Sequence, residues 1–358
     1  MKVLLIGRQN QNNSNGPEAV VASLNKEFLQ RNDIEYIPFL YNRESTSLNS
    51  LRRLITAILT NKNIIVNVHS SGLLIPFLVM ILSKFSRTNR YYLTLHGLHT
   101  IESKLNGSYK KIYACIEELL IRHFDNIIVV SEMMKKNLED MYNRVKNVYI
   151  IPNGCEVFDA ETDVVDYENK LQILSLGGLK KRKGILETIK VFSILYYKYH
   201  LNFVLSIYGP EENEYTKEWL NDYLKQNNIS NEIIEYKGMI KDKRDVCTHI
   251  ARSHFQIALS KYDTFNIAIA ESLAIGCPVI ASSLCGASYL ISSPTEGLVV
   301  DLDSDNITET IYKYIKKYSN IVSNEEKRAI AQKNRKALSW RNVVDEYINL
   351  FSIDTKQH

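Results

Sequence analysis

The sequence has no cysteine pair spaced C-x-x-C. Cys115, Cys155, Cys247, Cys277 and Cys285 are scattered and odd in number. That excludes a disulfide framework or a cysteine zinc site and reads as reduced thiols in a cytosolic protein. Long apolar runs are missing as well. The longest, residues 73–82, is about half of what a bilayer span requires and contains Pro76, so no transmembrane helix is expected. The apolar start, Val3-Leu4-Leu5-Ile6, is too short for a signal-peptide core and reads as a first strand. No internal repeat or low-complexity tract stands out. Charge of one sign is not in excess either: 44 Lys and Arg against 40 Asp and Glu leave a net charge of +4. That is too mild to indicate a nucleic-acid partner. It suits a phosphate-bearing partner or a locally basic face on an anionic membrane.

What is present is globular: 358 residues, 45% apolar and 23% charged, enough for two domains of ordinary size, each with its own core. Short apolar runs at residues 3–6, 35–40, 64–68, 91–95, 126–130 and 148–151 alternate with amphipathic stretches at 17–30, 48–59, 73–85, 108–123 and 132–142. Continuous Ile/Val/Leu runs of this kind are parallel strands covered by helices on both faces. Pro17 fits a first helical turn, where its missing N–H costs nothing. The rhythm breaks over residues 157–170, where Asp159, Glu161, Asp163, Asp166 and Glu168 mark an acidic linker. It resumes with strands at 171–176, 203–208, 233–236, 255–259, 278–281 and 298–300, and closes with helices at 306–318, 324–338 and 340–351. The expected architecture is α/β: Rossmann-like doubly wound domains at 1–156 and 171–338, facing each other across a cleft, with a final segment at 339–358. Ligands of such sheets bind beyond the carboxyl ends of the strands.

Several motifs sit at those ends. Asp263 follows a strand where a helix begins, and Glu271 lies seven intervening residues further on, about two turns along the same side. Helix-start amides near Phe265 and Asn266 can hold anionic oxygens, and a carboxylate can accept paired hydroxyl hydrogens. The alternative is a capping Asp and an unrelated surface Glu. In Gly177-Gly178-Leu179-Lys180-Lys181-Arg182-Lys183-Gly184, two glycines and four cations between a strand and a helix make either an anion cradle or a solvated basic turn. His96 ends a strand and is either a ligand contact or structural; His69 and His99 are weaker candidates. Gly16 closes a polar Asn/Gln/Ser loop, where a glycine permits close backbone approach; an ordinary mobile loop is the alternative. Asp301-Leu302-Asp303 reads as a metal-binding D-x-D or as helix capping. Arg52-Arg53, residues 86–92 and Lys110-Lys111 form basic or basic-aromatic clusters, a membrane contact or a solvated face.

Ala274-Ile275-Gly276-Cys277-Pro278-Val279-Ile280-Ala281 resembles the Ala-x-Gly-x-Pro-Val-Ile-Ala tail of glycosyltransferase family 4, of the GT-B fold. That family carries Glu, seven residues and Glu before it; Glu271 matches the second, and Asp263, one methylene shorter, stands for the first. Phe265-Asn266 replaces the family's Phe-Gly, and Asn tolerates the backbone angles such a turn needs. Lys183 falls on the family lysine that contacts the donor diphosphate. Gly178 stands where the family has arginine, with Arg182, Lys181 or Lys180 near enough to supply the charge. Ile151-Pro152-Asn153-Gly154, the strand-end Gly209, and Gly238 with Met239 and Ile240 also match, the last where backbone groups meet the nucleobase. Ser131 resembles the family's strand-end serine. Ser339-Trp340-Arg341 resembles the family ending, whose helix crosses back over the N-terminal domain. The resemblance spans almost the whole chain.

It implies a retaining, metal-independent hexosyltransferase without a cofactor. The donor is a nucleotide-sugar, UDP-linked first and GDP-mannose second. The acceptor is a glycan or lipid-linked hydroxyl in bacterial capsule, O-antigen or exopolysaccharide assembly. Lys183 then binds diphosphate, Glu271 the ribose hydroxyls and Asp263 the donor sugar, with His96 facing that sugar from the N-terminal domain. Gly16, Gly178, Arg182, Gly209, Met239, Ile240, Thr264, Phe265, Asn266 and Ile267 complete the expected donor contacts. Nucleic acid is not an expected partner; the expected location is the cytoplasm, at the inner face of an anionic membrane. Two rivals remain, an epimerase or hydrolase of the same fold and a non-catalytic paralogue acting as a binding partner. The Asp263 and Gly178 departures favour the latter, and retention of Lys183 and Glu271 opposes it.

Overall fold

A computed structural model describes residues 1–9, 16–42, 47–143, 145–158, 170–212, 214–318 and 323–356. The polar loop at 10–15 and residues 159–169 of the acidic linker at 157–170 therefore lie outside the described residues. The chain forms two compact units, Met1–Gly154 with Trp340–His358 and Cys155–Ser339.

The first unit runs β1 (Lys2–Arg8), α1 (Gly16–Phe28), β2 (Glu35–Tyr41), α2 (Leu48–Thr60), β3 (Ile65–Ser70), α3 (Leu74–Ser83), β4 (Arg90–Leu95), α4 (His99–Leu105), α5 (Lys111–His123), β5 (Asn126–Val129), α6 (Glu132–Met141) and β6 (Asn147–Ile150). The second runs β7 (Leu171–Ser175), α7 (Ile185–Tyr197), β8 (Phe203–Tyr208), α8 (Lys217–Gln226), β9 (Ile234–Gly238), α9 (Lys243–Ala251), β10 (Phe255–Ala258), α10 (Ile267–Ile275), β11 (Val279–Ser282), a 3-10 turn (Gly286–Leu290), β12 (Gly297–Val300), α11 (Ile307–Tyr318) and α12 (Asn324–Ala337). The last helix, α13 (Trp340–Lys356), returns to the first unit.

Each unit holds one six-stranded sheet, ordered β2-β1-β3-β4-β5-β6 and β12-β11-β10-β7-β8-β9. Every pairing is parallel. Both are Rossmann-like, as the alternation predicts. The strand order reverses between β1 and β3 in the first sheet and between β7 and β10 in the second. At such a point adjacent strands send their connections to opposite faces and leave a crevice at their carboxyl ends.

The cores follow from the apolar runs. β10 and β11 are buried at every residue, and Phe192, Phe203, Phe255 and Ile280 pack in one cluster of the second unit. Each side chain of that size contributes about 1.5–3 kcal/mol on burial. In the first unit α13 lays Phe351 against Tyr92, with ring centroids 4.8 Å apart, and Tyr347 against Phe28 at 6.4 Å. Arg31 joins Asp345 at 2.5 Å in the same packing.

One helical stretch differs from the sequence expectation. The single helix expected at 108–123 is α5, and a further short helix, α4, precedes it. The start of α4 is capped from a distance: Glu117 of α5 accepts from the backbone N–H of His99 at 2.5 Å and of Thr100 at 3.0 Å. A cap supplied from the next helix leaves no local signal.

Candidate active site

In the second unit the loops after β7 and β10 emerge on either side of the strand-order reversal. Lys183 comes from the first loop and Asp263 from the second, and Nζ of Lys183 forms an ion pair with Oδ2 of Asp263. The side chains are 22% and 10% exposed, so the pair is largely sheltered yet open on one side. Lys180 of the same loop is half-buried, and burial lowers its ammonium's pKa, assisted by Lys183 and Arg182.

Gly178 explains the absent arginine. Its φ is +69°, and a Cβ there would lie 2.3 Å from the Pro210 carbonyl oxygen. The Gly178 amide donates to Tyr208 O at 2.9 Å and the Leu179 amide to Pro210 O at 3.0 Å. The loop is thus stitched to the end of β8 by backbone alone, with no room for a side chain at 178. Arg182 also has a structural partner: its guanidinium donates to Tyr262 O at 2.9 Å, while its own carbonyl accepts from Lys261 N at 2.9 Å. It clamps the two loops together.

The Asp263 loop is fixed from the other side. Asp263 N donates to Leu284 O at 3.0 Å, Gly286 N to Asp263 O at 2.7 Å and Ala287 N to Phe265 O at 2.6 Å. Thr264 and Phe265 are buried within this clamp. Asn266 caps α10 with φ at +68°, so asparagine does occupy the left-handed angle where the family carries glycine. Ile267 opens α10; in its first turn Ile269 N donates to Asn266 O at 3.1 Å, and the amides of Ile267 and Ala268 have no partner within the helix. Such a terminus favours anionic oxygens. Asn266→Gly should leave Tm within about 4 °C, whereas the β-branched Asn266→Val should cost about 2 kcal/mol or more. A calorimetric scan of both decides it; equal Tm values contradict a strained turn.

Glu271 lies on a helix buried along most of its length, and its Oε1 pairs with Nζ of Lys243 at the start of α9. Burial raises the carboxyl's pKa, opposed by Lys243. The carboxylates do not share a cation: Asp263 has Lys183 and Glu271 has Lys243. Lys243 escapes a sequence reading, its only trace being the Asp242-Lys243-Arg244 run just after Gly238. The β8 and β9 ends are joined too, with Gly209 N donating to Gly238 O at 2.9 Å and Tyr236 OH to Gly209 O at 2.7 Å. Met239, next in line, is 60% exposed, and Ile240 follows it.

His96 belongs to the first unit. It is buried just past β4 and lines a cavity of about 350 Å³ with Arg8, Glu18, Ser70, Gly97 and His99. Burial pushes its pKa down to about 4, so the ring is neutral at physiological pH. Glu18 was not among the expected residues. Its side chain is 4% exposed, Oε1 faces Arg8 Nε at 2.9 Å, and Oε2 has no hydrogen-bond partner among the described residues. Its sequence trace is slight, one carboxylate just after Gly16-Pro17. Gly16 itself is the exposed first residue of α1. Ser131 caps α6 by accepting from Met134 N at 3.2 Å. Asp301 accepts from Asp303 N at 3.1 Å, a local exposed turn; α11 begins only at Ile307.

The family model for glycosyl transferases group 1 matches residues 160–337, and that for glycosyltransferase family 4 matches residues 14–157. An uncharacterized 41.2 kDa protein in the cps region of Klebsiella pneumoniae is 23% identical over 330 residues, covering 87% of this chain and 86% of its own. Sucrose-phosphate synthase from Thermosynechococcus elongatus superposes with a TM-score of 0.74 at 14% identity, covering 100% of both chains. Anabaena HepE in complex with UDP gives a TM-score of 0.70 at 16% identity, covering 98% of this chain and 100% of its own. With one match on each unit and solved glycosyltransferases among its structural neighbours, the chain belongs to the group 1 glycosyltransferases of family 4, with the two-domain Rossmann-like GT-B fold.

Proposed function

We propose that this glycosyltransferase moves a hexose from a nucleotide-sugar, UDP-linked in first place and GDP-mannose in second, to a hydroxyl of a glycan or lipid-linked acceptor. Configuration is retained and no metal takes part. The observation that carries the reading is the Lys183–Asp263 pair at the strand-order reversal, beside the amides that open α10. Each group of the pair neutralises the other. With donor bound, Lys183 turns to the diphosphate, and negative charge building on the leaving group meets an ammonium and helix-start amides already in place. Asp263, relieved of its cation, accepts from hydroxyls of the sugar. Glu271 accepts the two ribose hydroxyls, with Lys243 beside it favouring the carboxylate. Neutral His96 gives or takes one hydrogen bond at the sugar, and the cavity with Glu18 and Arg8 takes the acceptor.

The UDP preference draws support from the HepE complex, and surface-polysaccharide assembly from the cps-region relative. No helix among the described residues is long and apolar enough to cross a membrane. The exposed Arg52, Arg53, Lys110 and Lys111 are the residues through which we place the protein at an anionic membrane on the cytoplasmic side.

A thermal-shift series with UDP, GDP and ADP, with and without EDTA, tests this. At 100-fold excess over Kd a ligand adds about 2.7 kcal/mol, which raises Tm by about 5–10 °C in a unit of this size. UDP is expected to give that shift unchanged by EDTA. A shift with GDP alone replaces the donor with GDP-mannose. Loss of the shift in EDTA contradicts metal independence. No shift with any nucleotide favours the non-catalytic reading.

A further inference from the structure

A chain of buried polar groups runs from α13 to His96. The Tyr347 hydroxyl is hydrogen-bonded to Thr94. Thr94 Oγ1 donates to Asn67 Oδ1 at 2.8 Å. Asn67 Nδ2 lies 3.2 Å from His69 Nε2, and His69 Nδ1 lies 3.0 Å from His96 Nε2. Asn67, His69 and Thr94 are 0% exposed, and the two imidazoles stack with centroids 5.2 Å apart. With these groups buried, each group's hydrogen inventory constrains the next.

The order follows from the orientation of the Asn67 amide. Asn67 Oδ1 takes the threonine hydrogen, which turns Nδ2 toward His69. An amide nitrogen can only donate, so His69 Nε2 is bare. A neutral imidazole has one N–H, and His69 must carry it on Nδ1, where it is given to His96 Nε2. That nitrogen is then bare too, and the single hydrogen of His96 sits on Nδ1. Burial holds both rings neutral, lowering their pKa values.

We propose that Asn67 and His69 are positioning residues that fix the tautomer of His96, so that the ring lining the cavity carries its proton on Nδ1 and serves as a hydrogen-bond donor rather than a base. The group it serves is an oxygen acceptor, a sugar hydroxyl or a phosphate oxygen. Reversing the chain would present a bare nitrogen instead, which repels a phosphate oxygen and can only accept from a hydroxyl. The tautomer rests on the orientation of the Asn67 amide; its consequence for transfer rests on the assignment of His96 to the sugar.

Nitrogen NMR of the full chain labelled with 15N-histidine reads the tautomer directly, because protonated and bare ring nitrogens resonate far apart. The His96 signals are assigned by their loss in His96→Asn. His69 and His96 should both show a protonated Nδ1 and a bare Nε2 at neutral pH. A proton on His96 Nε2, or a charged ring, overturns the proposal. For the functional half, His69→Phe keeps the stack but removes the donor and should lower kcat by about tenfold or more. The UDP-induced thermal shift should be unaltered. His69→Gln accepts from Asn67 and donates to His96, and should restore most of kcat. Equal kcat for Phe and wild type, or no rescue by Gln beyond Phe, overturns the positioning role. If wild type transfers no sugar from any nucleotide-sugar while the NMR pattern holds, the function fails and the tautomer assignment survives.

Discussion

Lys183→Ala is expected to reduce sugar transfer by about two to three orders of magnitude while leaving the protein folded. The size follows from where the ammonium sits. It is partly sheltered from water, where a fixed charge acts on a developing negative charge far more strongly than in bulk solvent. Two neighbouring cations are already committed elsewhere. Arg182 is committed to the Tyr262 carbonyl at 2.9 Å, and Lys261 pairs with Glu187 at 2.8 Å. The folding cost is smaller. Asp263, one-tenth exposed, loses its partner, which costs about 1–3 kcal/mol for a buried acceptor left without one. The double variant Lys183→Ala with Asp263→Asn removes that stranded charge, so it should recover much of the lost Tm and none of the activity. Initial rates with the donor selected by thermal shift, beside melting curves of both variants, make the measurement. Transfer within roughly threefold of wild type ends the assignment of Lys183 to the diphosphate.

Gly184→Ala, one residue away, should fail in the opposite way, through folding rather than chemistry. Gly184 has φ at +72°, and a Cβ there would lie 1.7 Å from the Leu259 carbonyl oxygen. That oxygen belongs to backbone leaving β10 and cannot rotate aside like a side chain. Gly184 cannot retreat either. Its amide donates to Lys181 O at 3.0 Å and its carbonyl accepts from Thr188 N at 2.9 Å, the first hydrogen bond of α7. A left-handed backbone angle and a backbone collision together place the loss at about 4 kcal/mol or more, roughly 10 °C or more in Tm. The readout is soluble yield and calorimetric Tm. A Tm within about 3 °C of wild type means that the two loops relax apart, and the rigid Lys183–Asp263 geometry goes with them.

These two residues also mark what a sequence can disclose. The Lys183-Gly184 loop and the turn from Asp263 to Asn266 are contiguous, so their chemistry is written in adjacent letters. The strand-and-helix alternation is local in the same sense and yields both sheets. The residues that escaped are those whose meaning lies in a distant partner. Lys243 is 28 positions from Glu271, and the pairing of His69, named only as a weaker candidate, spans 27 positions to His96. Glu117 caps a helix that starts 18 positions before it. Gly178 shows the converse: read alone it is a lost charge, and only the Pro210 backbone across from it reveals that a side chain is excluded.

The return of α13 to the first unit has a consequence for biosynthesis. The second unit is an insertion in the first, entered after Gly154 and left before Trp340. A ribosome therefore delivers every residue of the second unit before it delivers Tyr347 and Phe351, which complete the packing around Phe28 and Tyr92. The usual amino-to-carboxyl order of domain completion is inverted. The nascent second unit can close while the first still presents an apolar seam around Phe28 and Tyr92, uncovered until α13 emerges.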